Sequence, residues 1–142
     1  MPCRSLRLCI CSSALVTLAA TAELVMLDCP NQPNCVSSEA SDIERRVAPL
    51  KYAGRAGNAL VRLAAIVDTM AGADVVTLDQ TYLRATFTSR FFRFVDDVEF
   101  VLRDGAFIDV RSMSRSGSYD FGVNRARVEK IRARFDSQTT DD

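Results

Sequence analysis

The chain has 142 residues, of which 48% are hydrophobic and 25% are charged, so it is long enough for one domain with its own core. Eighteen basic residues balance eighteen acidic ones, which argues against a general nucleic-acid binder, because such proteins carry a basic surplus. The absence of His excludes Ser-His-Asp and Cys-His catalysis within the chain and removes the commonest metal ligand. We therefore predict no nucleic-acid partner, no metal and no cofactor.

Residues 1–22 have the organisation of an export signal. Arg4 and Arg7 give a positive start, and the uncharged apolar run that follows ends with Ala20 and Ala22, in the small-x-small pattern of a cleavage site. The run is about 15 residues long, which is short for a membrane span of roughly 20. We predict a signal peptide and an exported protein, periplasmic or secreted. An uncleaved N-terminal anchor, or a wrongly assigned start, is the alternative.

Cleavage after Ala22 would leave two of the five cysteines, Cys29 and Cys35. An even pair in an exported protein predicts a disulfide, here across a turn-forming segment rich in Pro and Asn. The spacing is not that of a C-x-x-C redox pair, and four N or S ligands for zinc are not available. Free thiols are the remaining alternative.

Helical periodicity is clearest over residues 56–71, where apolar residues recur three and four positions apart and Gly72 suits the helix end. A shorter helix is predicted over residues 42–47, stopping before Pro49. A last helix is predicted over residues 125–135, with an apolar stripe at helical spacing.

Between the long helices, the composition changes to β-branched and aromatic residues. Asp104-Gly105, between two alternating segments, is the strongest hairpin signal in the chain. The predicted strands cover residues 74–78, 81–89, 94–102 and 106–113. The order predicts an α+β fold, an antiparallel sheet of about four strands with flanking helices, in a single domain over residues 23–136. Residues 137–142 are polar and are predicted to be a disordered tail.

Several short motifs in this order resemble a known family, the bacterial and plastid domain of unknown function 1499. The resemblance covers roughly residues 29–134. It implies no activity, although members often carry an export signal or a membrane segment. The matching motifs are PNCVSS (33–38), PL (49–50), YLRA (82–85), FVDDVEF (94–100), VRS (110–112), SR (114–115) with Gly117, and DFGVNR (120–125).

Strand alternation separates a core face from a charged face of the predicted hairpin. The predicted core residues are Val98, Phe100, Ile108 and Val110. The charged face holds Asp97, Glu99, Asp109 and Arg111, and Arg84 of the preceding strand joins them if the register allows.

This charged face has three interpretations. Its arginines suit an anionic group of a ligand. Asp97 and Glu99 could act as acid and base if burial separated their pKa values. Alternatively, the charges form cross-strand salt bridges that only stabilise the sheet.

The loop over residues 115–122 carries glycines, hydroxyls and arginines just before the last helix, a composition that can hold an anion. Arg115, Asn124 and Arg125 complete the ligand-binding candidates on this basis. The alternative is a connecting loop in which Asn124 or Asp120 caps the helix.

From these observations we expect an exported, non-catalytic envelope module that binds a small anionic ligand or a partner protein. We expect membrane contact only through an uncleaved N-terminal segment. The alternatives are a hydrolase-type enzyme that uses Asp97 and Glu99, and a purely structural or assembly factor.

Overall fold

A six-stranded antiparallel sheet carries two helices on one face, with a single hydrophobic core between them. The structure is a computed structural model that describes residues 27–138. The predicted signal segment, residues 1–22, lies outside the described residues. Most of the predicted tail, 137–142, does as well, but Ser137 is the last residue of the second helix.

The elements follow the chain in a simple order. The sheet order is β1-β6-β5-β4-β3, and β2 also pairs with β6. The strands and helices are β1 (Cys35–Ser37), β2 (Leu50–Lys51), α1 (Ala56–Asp68), β3 (Ala73–Leu78), β4 (Tyr82–Thr88), β5 (Val95–Arg103), β6 (Phe107–Ser114) and α2 (Val123–Ser137).

The predicted α+β class with an antiparallel sheet is confirmed, but the sheet has six strands, more than the predicted four. The additional strands, β1 and β2, both pair with the outer edge of β6. They have three and two residues, which is too short for alternation to be visible in the sequence. The predicted Asp104-Gly105 hairpin is present, and residues 104–106 join β5 to β6.

The predicted helix over residues 42–47 is wrong, because this segment forms turns. The Asp42 carboxylate accepts the amide of Glu44 and the side chain of Arg45, which closes a tight turn. Ser37 then bonds the carbonyl of Arg45 and the amide of Val47, so these backbone groups pair with β1 and not with a helix.

The core lies between the helices and the inner face of the central strands. Val98, Phe100, Ile108 and Val110 are fully buried, as predicted from alternation. Their helix partners include Leu63 and Val67 of α1 and Val128, Ile131 and Phe135 of α2.

Helix α1 ends at Asp68, earlier than predicted, and Gly72 lies in the turn that leads into β3. Gly72 has φ +78°, and a Cβ there would lie 2.4 Å from the Thr88 carbonyl oxygen. Only glycine therefore allows this turn to approach the end of β4. The close approach forms one wall of a cleft described below.

Candidate functional site

The strand register brings the predicted charged residues together on the outer face of the sheet. Glu99 of β5 lies opposite Arg84 of β4 on one side and opposite Arg111 of β6 on the other. Asp97 and Asp109 lie on the same face, which alternation places opposite the core.

Asp97 is bound by two arginines. Arg115 donates to it at 2.7 Å, and Arg84 donates at 2.9 Å. The hydrogen bond from Arg115 lowers the pKa of the Asp97 carboxyl; burial opposes this change, and the hydrogen bond from Arg84 reinforces it. Asp97 is therefore held as a carboxylate by its neighbours.

Glu99 and Asp109 are paired in the same way. Glu99 accepts hydrogen bonds from Arg111 and from the Tyr82 hydroxyl, the latter at 2.7 Å. Burial raises the pKa of Tyr82 well above its ordinary value, and the bond to Glu99 adds to the effect. Asp109 accepts from Arg103 at 2.7 Å, and Arg103 also binds Glu39.

This outer face consequently carries ion pairs around Asp97, Glu99 and Asp109, and each predicted residue has a partner of opposite charge. The clefts described below are lined by none of Arg84, Asp97, Glu99, Asp109 and Arg111. Ligand binding by these residues stays a prediction, and their observed contacts are those of the salt-bridge interpretation.

The remaining candidates in the loop and at the start of α2 are also engaged. Arg125 donates to the carbonyl oxygens of Glu44 and Arg46. Asn124 is fully buried, and its amide is hydrogen-bonded to the Asn34 carbonyl, Ser114 and Asp120. Asp120 also accepts the backbone amide of Asn124 at 2.9 Å, which caps α2.

A buried polar network joins α2 to the sheet. Arg127 donates to Ser112 at 3.0 Å and to the Asn124 oxygen at 2.7 Å. Its other terminal nitrogen binds Asp96, and its guanidinium lies 4.7 Å from the centroid of the Phe87 ring. These contacts fix the orientation of the first turns of α2.

An open cleft of about 740 Å³ lies beside this network, between α2 and the end of β4. We call it the basic cleft. Its lining is apolar and cationic and contains no carboxylate. The lining residues are Met70, Ala71, Gly72, Phe87, Thr88, Ser89, Arg90, Arg93, Val123, Ala126, Arg127 and Lys130.

Three of the four cations in the basic cleft have no acidic partner among the residues that the structure describes. Within residues 27–138, Arg90, Arg93 and Lys130 form no ion pair, whereas Arg127 pairs with Asp96. Arg93 also has φ 56°, in the left-handed region that is unfavourable for a side chain with a Cβ. The cleft therefore holds cations without an ion pair among the described residues and also a residue with unfavourable backbone geometry, which is a feature that clusters at functional sites.

A second cleft, of about 460 Å³, lies between the disulfide loop and the start of α2, and Arg125 lines it. Its arginines are satisfied within the fold, since Arg125 binds backbone carbonyls and Arg45 pairs with Asp42. The basic cleft is for this reason the better candidate for an anionic ligand.

The basic cleft was not predicted from the sequence. The available signal was Arg90-Phe-Phe-Arg-Phe94, which places three aromatics and two arginines in and beside a hairpin connection. Large apolar side chains are unusual in such a connection, which normally lies on the surface. Phe94 was predicted to belong to a strand, but β5 begins at Val95 and Phe94 is exposed.

A family model with the description "Protein of unknown function (DUF1499)" matches residues 26–135, which is more than half of the chain. The chain belongs to this family. The resemblance noted from the motifs is thereby confirmed, and the DUF1499 match includes the outer face, the buried polar network and the basic cleft. No curated protein matches the chain.

Three further properties belong to the part of this DUF1499 chain that the structure describes. Neither α1 nor α2 is long and apolar enough to cross a membrane. Residues 27–138 contain no group of three Cys, Asp or Glu side chains placed to hold a metal ion. The sulfurs of Cys29 and Cys35 lie 2.11 Å apart, which is the distance of a disulfide.

Proposed function

We propose that this protein is an exported, non-catalytic module that binds a small anionic ligand in the basic cleft. The observation that carries the proposal is a set of three cations, Arg90, Arg93 and Lys130, that form no ion pair within residues 27–138 and line the cleft together with apolar side chains. Guanidinium groups are well suited to phosphate and carboxylate, because they donate two parallel hydrogen bonds.

The apolar part of the lining defines the ligand further. Met70, Phe87 and Val123 lie beside the cations, so the cleft offers contact to a hydrocarbon group as well as to an anion. Clefts with apolar walls and a few placed polar groups are typical of small-molecule sites. The ligand class that fits is an anionic amphiphile.

A non-catalytic role is supported by the chemistry of the lining. The basic cleft contains no carboxylate, imidazole or thiol that could act as a general base. Asp97 and Glu99, the acid–base pair considered from the sequence, are instead bound by Arg115 and Arg111. Export is supported by the composition of residues 1–22 and by the disulfide distance between the two remaining cysteines.

Calorimetric titration with hexyl phosphate tests the proposal, with neutral hexanol as the control ligand. Arg93→Ala should weaken hexyl phosphate binding by about tenfold or more, since a hydrogen bond to a charged group contributes about 1.5–3 kcal/mol. Arg55→Ala, an exposed arginine at the start of α1, is the matched control and should bind like the wild type.

Arg111→Ala separates the basic cleft from the outer face. It should lower the stability of the fold and leave hexyl phosphate affinity unchanged, because Arg111 contacts Glu99 and not the cleft. Weaker binding by Arg111→Ala together with normal binding by Arg93→Ala would place the site on the outer face. No binding by the wild type would reject an anionic amphiphile and favour a structural role.

A further inference from the structure

The exposed apolar side chains of the protein are concentrated at one end. Ten large apolar residues are exposed within residues 27–138. Six of the ten lie on or beside two loops, so the exposed apolar residues are clustered. These six are Phe91, Phe92, Phe94, Tyr119, Phe121 and Val123, and we call them the aromatic end.

The sheet topology explains why these residues share one end. Strands β4, β5 and β6 are antiparallel neighbours. The connection from β4 to β5 and the connection from β6 to α2 therefore leave the sheet at the same end. Phe91 and Phe92 are in the first connection, and Tyr119 and Phe121 are in the second.

The rings at the aromatic end project into solvent and are not the edge of the core. Phe91 is 85% exposed and Phe121 is 86% exposed. The rings contact one another in pairs: Phe92 stacks on Phe94 at 5.7 Å, and Tyr119 meets Phe121 edge-on at 5.0 Å. Apolar surface concentrated in this way marks a site of contact with a protein or a membrane.

The charge around these rings is positive. Arg90, Arg93 and Lys130 of the basic cleft are adjacent and have no acidic partner within the described residues. The carboxylates that flank the two loops, Asp96, Asp97 and Asp120, all bind groups within the fold. The aromatic end thus lies beside cations that form no ion pair within residues 27–138.

We propose that the aromatic end docks onto a membrane surface that contains anionic phospholipid. The phenylalanine rings enter the headgroup region, and the basic cleft binds the phosphate of one lipid. This inference rests on the proposed function, and it names phospholipid as the anionic amphiphile. It departs from the sequence prediction, which placed membrane contact only at an uncleaved N-terminal segment.

Charge complementarity is the reason for choosing a membrane over a protein partner. Anionic lipid attracts clustered Arg and Lys, and aromatic rings are favoured at the membrane–water interface. Amphipathic surfaces with this composition bind membranes through apolar insertion together with attraction to anionic lipid.

Sedimentation of the full chain with vesicles tests the inference. Vesicles of phosphatidylcholine alone are compared with vesicles that contain 30% phosphatidylglycerol, a fraction set at roughly the level that gives a distinct negative surface potential. Binding should require phosphatidylglycerol. The double variant Phe91→Ser/Phe121→Ser should bind at least about tenfold more weakly, which corresponds to 1.4 kcal/mol.

The matched control is Ile43→Ser/Val61→Ser, which removes two exposed apolar residues elsewhere and should sediment like the wild type. Because every variant keeps residues 1–26, membrane binding by that segment alone would give equal sedimentation of both double variants. Equal sedimentation would overturn the proposal and leave a protein partner as the occupant of the aromatic end.

Hexyl phosphate titration of the same variants distinguishes this inference from the proposed function. Phe91→Ser/Phe121→Ser should retain the affinity of the wild type, since neither residue lines the cleft. Hexyl phosphate binding without vesicle binding would overturn the membrane inference and leave the cleft as a site for a soluble anion. If the wild type bound neither hexyl phosphate nor anionic vesicles, both proposals would be overturned.

Discussion

Arg127 of α2 donates a charge-assisted hydrogen bond to Asp96 of β5, across the interface between helix and sheet. Both side chains are about nine-tenths buried, with exposures of 10% and 11%. The pair is further held by Ser112 and by the ring of Phe87. It therefore fixes the first turns of α2 and, with them, the wall of the basic cleft that carries Lys130.

Breaking the Arg127–Asp96 pair should lower the free energy of unfolding by more than breaking a surface ion pair does. Asp96→Ala leaves the Arg127 charge buried without its partner, and we expect the free energy of unfolding to fall by about 3 kcal/mol in urea titrations. Glu129→Ala, which removes the exposed partner of Arg132, is the control and should cost about 1 kcal/mol or less. Similar losses for both variants would contradict the structural role given to Asp96.

The stability of the protein should depend on pH through Asp97. Its pKa is lower in the folded protein than the unfolded value of about 3.9, so its contribution is present above that value and is lost as pH falls through the folded pKa. Asp97→Asn should be less stable than the wild type at pH 7, and the difference should shrink below about pH 4. Asp104→Asn, in the exposed hairpin turn, is the control. An undiminished difference at pH 3 would contradict the ion-pair account.

Replacing Arg93 with glycine should weaken ligand binding without lowering the stability of the fold. Its backbone has φ 56°, so Arg93→Gly relieves an unfavourable conformation and should leave the free energy of unfolding unchanged or raise it by up to about 1 kcal/mol. The same change should weaken hexyl phosphate binding. Ala106→Gly, with φ 64° in the β5–β6 turn, should affect stability in the same direction without affecting binding. Lower stability of Arg93→Gly with unchanged affinity would argue against a binding role for Arg93.

The bond between Cys29 and Cys35 should stabilise the domain modestly, because the closed loop is short, with a sequence separation of six. Reduction should lower the free energy of unfolding by about 2 kcal/mol, measured in urea with and without dithiothreitol. The variant Cys29→Ala/Cys35→Ala should have the stability of the reduced wild type, both with and without dithiothreitol. Insensitivity of the wild type to dithiothreitol would show that the bond is not formed.

Much of the fold could be predicted because its signals are local. Alternation in β5 and β6 assigned Val98 and Phe100 to the core, and Asp-Gly located the hairpin. The edge strands β1 and β2 could not be predicted, since two or three residues carry no periodicity and depend on pairing with β6. The segment that begins at Asp42 has helical composition. Its backbone groups are nevertheless hydrogen-bonded to the Asp42 side chain and to β1, and so they do not form the hydrogen bonds of a helix.

The outer face could also be predicted, because strand period alone places Asp97 and Glu99 together. The basic cleft could not, because its walls come from three distant parts of the chain: the turn after α1, the β4–β5 connection and α2. Nor does composition indicate that Phe91 and Phe92 are exposed, since phenylalanine is usually buried. Their exposure in the folded chain, 85% for Phe91 and 77% for Phe92, shows that these rings lie outside the core.

The central claim is that the aromatic end and the basic cleft meet an anionic lipid surface, and a single fluorophore tests it directly. The chain contains no Trp, so Phe91→Trp reports on that position alone, whatever residues 1–26 do. We predict a blue shift of its emission and quenching by brominated lipid with vesicles that contain phosphatidylglycerol, and neither effect with phosphatidylcholine alone. Val61→Trp on α1 should show neither effect in either case. Unchanged emission of Phe91→Trp on anionic vesicles would contradict the account.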